Sequence, residues 1–448
     1  MKSVTEQYVL YLEEKQQQIP KDVIKKAKEC LLDYIAVAYA GAHQSSCEME
    51  PYLRQMSKEG NVSCIGIPVC TDVHTAAFIN GFNSHLLELD DGHQFAMMHL
   101  ASPIISAILA VAQKEKVSGI DILRGIVIGY EAAVKLAISI QPSHKQNGFH
   151  TSGTCGTIGA AVGCGILLKA DRQQMKTTIS AAITSASGLL AIQDDNSKMK
   201  PYNTGQAAMN GVNAAYMGLT GLTTPEDIIQ GKRGIFKVLA KDANERMLTE
   251  PKNYYEIERI YIKPYAACRH CHSAMEAAML LRSRVNISVN EIEKIEVYTY
   301  KMAVIGHNYV DIRGSSAAKL SIPFSVAVSY ITGNGGVDAF LESSVLNSEI
   351  IALTKKIRVY EEKEFSDLSP KQRVARVKLI DRNGQEYCEK VDYAKGDPQN
   401  PLTLEELEKK YNSLMEFAGK NNYAEEMLNI IKKIEVVTED FYNCIGGD

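Results

Sequence analysis

Apolar residues recur at helical spacing along most of the first 260 residues. The spacing predicts helices over 6–17 and 22–40, the second ended by Gly41, and continues through an apolar run over 76–89 that Thr71 or Asp72 caps. Serine or threonine followed by proline, at 102–103 and at 224–225, marks two further helix starts. The remaining helices of this part are predicted over 104–114, 120–140, 151–168, 171–190 and 205–219.

Between two of these apolar helices lies a densely charged segment. Residues 88–99 place three carboxylates and two imidazoles within twelve positions, namely Glu88, Asp90, Asp91, His93 and His99. A solvated loop or a helix cap explains the composition as well as a proton-transfer site does, and adjacent aspartates cannot point the same way on a helix. The local sequence leaves both interpretations open.

The pattern changes after residue 263. A β-rich alternation over 294–301 predicts a strand, and 373–380 with 386–393 flank an Asn-Gly turn that predicts a hairpin. Helices are predicted around these strands over 273–283, 321–331 and 348–356, and two amphipathic helices close the chain. The fold class is therefore mainly α: a large all-helical domain, residues 1–263 and 397–448, with a smaller inserted α+β lid domain, residues 264–396. We expect a ligand cleft between them.

Composition excludes several function classes. The chain has 448 residues, 45% of them hydrophobic, and a net charge of −4, so there is no electrostatic case for nucleic acid or an acidic membrane surface. No apolar run approaches the ~20 residues of a membrane span. The N-terminal residues resemble neither a secretory signal nor a transit peptide, so we expect a cytoplasmic protein.

The ten cysteines are more typical of small buried residues than of a disulfide framework. The segment Cys268-Arg-His-Cys-His272 has the spacing of a haem-attachment motif and of half a zinc site. Haem attachment needs export, and a structural zinc site needs a second Cys/His pair at suitable spacing. A loop that enters a helix is the favoured interpretation, and no metal is expected.

Four more groups could line the cleft. His150 precedes a run of hydroxyl residues at a helix start, where a capping cluster is the simpler explanation. Lys200, taken alone, is typical of a surface lysine. The segment from Lys263 to Arg269 is typical of a solvated linker. Lys319 begins a predicted lid helix, where ordinary packing explains it equally well.

Taken together, six ordered motifs resemble the MmgE/PrpD family over nearly the whole chain: LELDDGH with a following His, GFHTSGTCGTIGAA, KMKPYNTGQAAMNG, KPYAACRHCHSAMEAA, AKLSIPFSVA and KGDPQNPLT. The family includes 2-methylcitrate dehydratase, cis-aconitate decarboxylase and iminodisuccinate epimerase. The resemblance implies an all-helical domain with an α+β lid, a homodimer, and chemistry on small di- or tricarboxylates that needs no metal or cofactor.

The resemblance also implies catalytic residues. The acidic motif of the family falls on Asp90 and Asp91 with His93, its following histidine on His99, and its Gly-Phe-His histidine on His150. The family reactions can all be written through a carbanion or enediolate next to a carboxylate, which requires a base and an acid. Histidine suits either role near neutrality.

Cations must neutralise the carboxylates of such a substrate. Two family lysines match Lys200 and Lys263, and Arg269 is a third candidate for substrate binding. The leading hypothesis is a lyase, a 2-methylcitrate dehydratase-like hydro-lyase of a hydroxy-di- or tricarboxylate. An isomerase or epimerase that uses the same proton abstraction is the alternative, and a decarboxylase or a non-catalytic binding protein follows.

Five positions depart from the family pattern. Glu88 and Gly92 replace an aspartate and a threonine, and Leu100 replaces a frequent proline. Asn203 stands where a histidine is common, and Phe324 where the decarboxylases carry a tyrosine. The last two departures argue against simple transfer of the decarboxylase activity.

Overall fold

Helices dominate the computed structural model, which describes residues 2–285 and 287–446; positions 1, 286, 447 and 448 of the predicted domains lie outside it. The helices of the first 260 residues are α1 (Val4–Gln17), α2 (Lys21–Met56), α3 (Val73–Leu86), α4 (Ala101–Glu115), α5 (Gly119–Ile140), α6 (Ser143–Gln146), α7 (Thr151–Leu167), α8 (Arg172–Ser185), α9 (Tyr202–Gly218), α10 (Ile235–Leu239) and α11 (Glu245–Thr249). Residues 62–63 and 70–71 form a short hairpin of β1 (Val62–Ser63) and β2 (Cys70–Thr71).

The later part of the chain combines helices with a sheet. Its helices are α12 (Arg269–Arg284), α13 (Lys301–Val304), α14 (Ser315–Ala318), α15 (Ile322–Thr332), α16 (Glu342–Val345), α17 (Ser348–Lys355), α18 (Lys363–Leu368), α19 (Leu404–Phe417), α20 (Asn421–Lys432) and α21 (Thr438–Cys444). Its strands are β3 (Ile292–Thr299), β4 (Ile357–Glu361), β5 (Ala375–Asp381) and β6 (Glu386–Val391). The mainly α fold class is confirmed.

We call the helices of the first 260 residues, α1 to α11, the helical body. Small residues allow the central helices of this body to approach each other closely. A Cβ at Gly159 of α7 would lie 2.7 Å from the backbone oxygen of Gly129 of α5. The apolar residues of α4 and α5 are almost all buried, so these helices form the core behind the cleft.

Gly41 does not end a helix. Helix α2 continues through it to Met56, because the missing side chain serves packing rather than termination. A Cβ at Gly41 would lie 1.9 Å from the backbone oxygen of Asn83, so glycine is required for the crossing of α2 and α3. The predicted end of the helix was wrong.

The two proline start signals had different outcomes, because only the one at 102–103 marks a helix start, to within one residue. No helix of the described chain begins at Thr224-Pro225; instead the Asp227 carboxylate accepts the amides of Ile229 and Gln230 and ties the turn to α1 through Val4. Helix α4 begins one residue before Ser102, at Ala101. Its amides are capped from a distant part of the loop, as described below.

The four-stranded sheet has the order β4-β3-β5-β6. The predicted hairpin is present as β5 and β6, with Gly384 at φ 81° in its turn. Strand β4 was not predicted; it pairs in parallel with β3, Ile295 opposite Ile357. Such a pairing joins segments about 60 positions apart, so local periodicity carries little sign of it.

The C-terminal helices return to the body. Helices α19 and α20 pack against α2, and the Lys410 ammonium lies 2.5 Å from the Asp33 carboxylate of that helix. Lys410 also donates to the backbone oxygen of Leu89, 3.0 Å away, at the start of the charged loop. The division at residues 263 and 396 stays a prediction. No helix within the described residues is long and apolar enough to span a membrane.

Candidate active site

A cleft of about 950 Å³ opens between the helical body and the later α+β segment. Both sides contribute basic and aromatic side chains, and the body side includes the charged loop. The residues used below that line it are His85, Glu88, His99, Lys145, His150, Lys200, Cys268, His270, Tyr300, His307, Lys319 and Arg373.

Two lysines from separate parts of the chain contact one carboxylate, and a third lysine bonds the backbone nearby. Glu88 follows α3 in a left-handed backbone conformation, φ 53°, and its carboxylate contacts the Lys200 ammonium. The Lys263 ammonium lies 3.3 Å from the same carboxylate and donates to the Glu88 backbone oxygen at 2.8 Å. Lys319 donates to the backbone oxygen of Leu86, 3.3 Å away. We call Lys200, Lys263 and Lys319 with Glu88 the lysine cluster.

Burial and mutual charge set the protonation of this cluster. Burial alone would raise the pKa of Glu88, but Lys200 and Lys263 outweigh it and hold the pKa well below its ordinary value. Burial would lower the pKa of Lys263, yet Glu88 and Asp90 raise it, so this lysine stays charged. Burial lowers the pKa of Lys319 to about 8, with Glu88 only partly opposing. Lys319 can therefore exchange a proton near neutral pH.

Asp90 anchors a buried hydrogen-bond network. Its Oδ2 accepts from His85 Nδ1 and from the Ser102 hydroxyl, each at 2.8 Å, and its Oδ1 lies 3.3 Å from His99 Nδ1. Burial would raise the pKa of Asp90, but His85 and His99 hold it well below its ordinary value. A carboxylate anion therefore lies directly behind the His99 ring, where it can stabilise an imidazolium.

His99 presents a free ring nitrogen. Its Nδ1–H donates to the Asp91 backbone oxygen at 2.9 Å, which leaves a lone pair on Nε2. The Ser152 hydroxyl oxygen accepts the His99 backbone amide at 2.9 Å and ties the loop to α7. Burial lowers the pKa of His99 to about 4, although Asp90 opposes the shift. His99 is thus neutral at pH 7 and has the form of a general base.

His150 has the opposite tautomer. It is the residue preceding α7, and its Nδ1 accepts from the Asn203 side-chain amide at 3.0 Å. The same amide donates to the Leu189 backbone oxygen at 3.3 Å, which fixes its orientation. The Nε2 of His150 therefore carries the proton. Burial, and then Lys200, lower the pKa of His150 well below its ordinary value, so it is a neutral hydrogen-bond donor.

Asp91 turns to the interior of the body and does not line the cleft. Its Oδ1 accepts the backbone amides of Leu100 at 3.2 Å and Ala101 at 2.9 Å, the first of α4, and its Oδ2 accepts from the Tyr130 hydroxyl at 2.7 Å. Burial raises the pKa of Asp91 to about 7. The geometry gives this carboxylate a capping role, and the expected catalytic role of Asp91 stays a prediction.

His93 is also removed from the cleft lining. Its Nδ1 accepts the Ala96 amide at 3.1 Å, and its Nε2 lies 3.4 Å from the Glu256 carboxylate. Burial lowers its pKa, with Glu256 opposing. These contacts brace the loop over 93–98 against the body, so His93 shapes the segment that carries His99.

Arg269 contacts the cleft but is already paired. Its guanidinium lies 2.5 Å from the Asp397 carboxylate and donates to the backbone oxygens of Ala394 and Lys395, both at 3.2 Å. It also lies 4.9 Å from the centre of the Tyr261 ring. These bonds join α12 to the segment that leads back to the body. They fit a structural role better than the expected binding of substrate.

The sequence motifs marked neither His85 nor Arg373 as candidate site residues. His85 lies on α3 outside the charged loop, and its ring centre lies 4.7 Å from that of His99. Arg373 precedes β5 in a segment without a motif. Phe324, which stands where the decarboxylases carry a tyrosine, is fully buried and does not line the cleft. What this departure means for the reaction stays a prediction.

Two clusters contain side chains of the kinds that bind metal ions. One is His85 with Asp90 and His99, and the other is Cys268 with His270 and His307. In each cluster the potential ligand atoms lie within 4.8 Å of one another. In the first cluster both Nδ1 atoms are already engaged, that of His85 in a hydrogen bond with Asp90 and that of His99 in one with the Asp91 backbone oxygen. The second divides the CxxCH segment, since Cys271 and His272 point into the interior, both fully buried.

The arrangement combines a carboxylate-backed base, a neutral donor and basic side chains in one cleft. Such a set can bind a carboxylate, remove the proton beside it and donate a proton or hydrogen bond to another atom of the same ligand. Burial of the loop on α3, α4 and α7 holds these groups in place before a ligand arrives.

The chain is similar to known proteins over nearly its whole length. The MmgE/PrpD N-terminal domain matches residues 8–247, and the MmgE/PrpD C-terminal domain matches residues 265–436. A cis-aconitate decarboxylase of Aspergillus terreus is 24% identical, over 95% of this chain and 93% of that protein. A cis-aconitate decarboxylase-like protein of Aspergillus oryzae is 26% identical over 88% and 87%, and the mouse cis-aconitate decarboxylase 22% identical over 97% and 91%. The chain belongs to the MmgE/PrpD family.

Proposed function

We propose that this enzyme is a lyase, a dehydratase of a small hydroxy-di- or tricarboxylate that begins by removing a proton next to a carboxylate. The observation that carries the proposal is the pair of imidazoles with opposite tautomers. His99 offers a lone pair on Nε2, and His150 offers an Nε2–H. Elimination of water begins when a base accepts the α-proton, and a neutral donor on the other imidazole can hold a substrate oxygen in place during that step.

The lysine cluster binds the carboxylate beside the reacting carbon. Lys263 stays charged, and Lys319 is the lysine whose ammonium has no carboxylate within ion-pair distance among the described residues. Concentrated positive charge stabilises the enediolate that forms when the α-proton leaves. Glu88 keeps Lys200 and Lys263 in position, and its negative charge limits the affinity for the substrate anion.

His99 takes the α-proton on Nε2. The proton makes the ring an imidazolium, which the Asp90 carboxylate behind it stabilises, as a buried carboxylate does for other catalytic histidines. Nδ1 keeps its hydrogen bond to the Asp91 backbone oxygen throughout, so the ring does not rotate.

Lys319 supplies the proton for the departing hydroxyl group. Its pKa of about 8 keeps most of it protonated at neutral pH and makes it a stronger acid than an ordinary lysine. His150 donates a hydrogen bond to an oxygen of the substrate as a neutral imidazole, the form that its lowered pKa favours.

Decarboxylation is the second candidate, and the relatives favour it. The relatives from Aspergillus terreus and mouse bear the name cis-aconitate decarboxylase, and each aligns over nearly its whole length. Loss of carbon dioxide requires a proton donor to the resulting carbanion but no base. Because the cleft holds a base, His99 with the Asp90 carboxylate behind it, we prefer dehydration to decarboxylation as the proposed reaction.

Deuterium uptake tests the proposal. The enzyme is incubated in heavy water with hydroxy-di- and tricarboxylates, among them citrate and 2-methylcitrate, and separately with cis-aconitate, while NMR follows exchange and ultraviolet absorbance follows unsaturated products. A dehydratase exchanges the α-proton and builds the unsaturated acid. Exchange without absorbance indicates an epimerase, and carbon dioxide release from cis-aconitate indicates a decarboxylase.

The His99→Gln variant is the matched control, since it removes the base and leaves the fold. No exchange, absorbance change or carbon dioxide with any acid of the panel contradicts an enzymatic function. We further propose a homodimer, and chemistry without metal or cofactor, on the resemblance to the family; sedimentation and metal analysis of the purified protein test them.

A further inference from the structure

A second group of basic side chains lines the cleft outside the lysine cluster. Lys145 lies on α6 of the body, and Arg373 precedes β5 on the opposite wall. Both are half-buried. They face the rings of His270 and His307, whose centres are 5.0 Å apart, and the hydroxyl of Tyr300.

Neither cation has a carboxylate partner among the described residues. Arg373 lies 5.6 Å from the centre of the Tyr261 ring and hydrogen-bonds its hydroxyl, and its neighbour Arg269 holds the nearby Asp397 in an ion pair. The Lys145 ammonium has no hydrogen-bond acceptor in that same part of the chain, and Arg373 is one of the charges that lower its pKa, after burial. Withdrawing two like charges from water without a counter-ion is costly.

The two imidazoles and the Tyr300 phenol beside these cations add no compensating charge. His270 Nδ1 lies 2.5 Å from the Tyr300 hydroxyl, and His307 Nδ1–H donates to the Leu320 backbone oxygen at 2.8 Å. Burial, then the neighbouring basic groups, lower the pKa of both imidazoles, so they are neutral. Within the part of the chain that the structure describes, Lys145 and Arg373 therefore form no ion pair, and an anionic ligand would neutralise them.

We propose that Lys145 and Arg373 form a second carboxylate subsite, which binds the distal carboxylate of the substrate and so bridges the body and the opposite wall of the cleft. The identity of the anion rests on the proposed function; the subsite itself rests on the unpaired charges. The consequence is a substrate class: the ligand carries at least two carboxylates, and a monocarboxylate engages only the lysine cluster.

A metal ion is the competing occupant, because Cys268, His270 and His307 place three ligand types within 4.8 Å. The adjacent Lys145 and Arg373 favour the anion over a dication, since each positive charge raises the free energy of a second cation nearby.

Calorimetric binding tests the subsite without turnover. The probe is propane-1,2,3-tricarboxylate, which lacks a hydroxyl to eliminate, and butyrate is the monocarboxylate reference. We expect Lys145→Met and Arg373→Met each to weaken tricarboxylate binding at least ~10-fold, the loss of one charge-assisted contact. Butyrate binding should stay unchanged. As controls, Lys237→Met and Arg382→Met remove exposed cations outside the cleft, and they should change neither the tricarboxylate affinity nor the butyrate affinity.

Thermal unfolding separates binding from a structural role. Without ligand, removing either unpaired cation should leave the melting temperature unchanged or raise it, whereas a cation that holds the fold together would lower it when removed. Arg373→Lys, which keeps the charge but loses the two-pronged donor, should lie between wild type and Arg373→Met in affinity.

Three results would overturn the inference: no tricarboxylate binding by the wild type, unaltered affinity in both variants, or equal losses for tricarboxylate and butyrate. Stoichiometric zinc in the purified protein that Cys268→Ser abolishes would assign the group to a metal instead. Binding with the expected dependence, but no exchange with any acid in heavy water, would contradict the proposed function and leave the subsite standing.

Discussion

The two walls of the cleft differ in how their charges are satisfied. On the body wall, Asp90 is bonded to His85 and Ser102 and lies against His99, and Glu88 is paired with two lysines. On the opposite wall, Lys319 and Arg373 have no carboxylate partner within the described chain. The groups around His99 are preorganised for proton transfer, whereas Arg373 and Lys145 of the body wall, which also has no carboxylate partner among the described residues, are completed by an anion. The predictions below test this contrast, from the largest expected effect to the smallest.

Replacing the base should have the largest effect. We expect His99→Gln to lower kcat by ~10²–10⁴-fold, the usual contribution of a positioned acid or base. The melting temperature should change little, because glutamine fills similar space. His74→Gln, at an exposed histidine on α3, is the control. A large fall in melting temperature with kcat retained would assign His99 to the core.

Breaking the Arg269–Asp397 pair should affect stability more than binding. The pair is almost fully buried, and removing one partner of a buried pair costs about 3–5 kcal/mol. We therefore expect Arg269→Met to lower the denaturant midpoint strongly while the KM of the folded fraction stays near that of wild type. Arg124→Met, which breaks the exposed pair with Asp121, should cost at most ~1 kcal/mol. A raised KM with unchanged stability would restore Arg269 as a substrate ligand.

Substitutions at the adjacent residues Asp90 and Asp91 should have different effects on stability and activity. Asp91→Ala leaves the α4 amides and the Tyr130 hydroxyl without a partner, which costs about 1–3 kcal/mol of unfolding free energy. Asp91→Asn keeps an acceptor and no charge, close to the protonated form that a pKa of about 7 favours, so it should retain stability and activity. Asp90→Asn should fold and lose kcat. Equal loss of activity in both asparagine variants would contradict the capping role of Asp91.

The pH profile of kcat/KM should be bell-shaped. His99 must be unprotonated to act as a base, so activity falls as the pH drops through about 4. Lys319 must be protonated to act as an acid, so activity falls as the pH rises through about 8. Lys319→Arg keeps the charge at all these pH values and should remove the alkaline limb. An unchanged alkaline limb in that variant would exclude Lys319 as the acid.

Much of the fold was predictable from local pattern. The helical spacing of apolar residues, the cap at Asp72 and the hairpin glycine Gly384 act within a few residues, so the sequence shows them directly. Strand β4 and the continuation of α2 through Gly41 depend on partners far along the chain. Glycine at a crossing and glycine at a helix end look the same in sequence, and only the position of Asn83 distinguishes them.

The same limit applies to the site. The sequence by itself determined the family, the charged loop, and the identity of His99, His150, Lys200 and Lys263 as candidates. Only the tertiary structure decided that Asp90 lies behind His99 while Asp91 caps α4, because the amides and Tyr130 that bind Asp91 come from other elements. It also brought Lys319 to the cleft. Protonation and partner choice depend on burial and on charges distant in sequence, and folding is what brings these together.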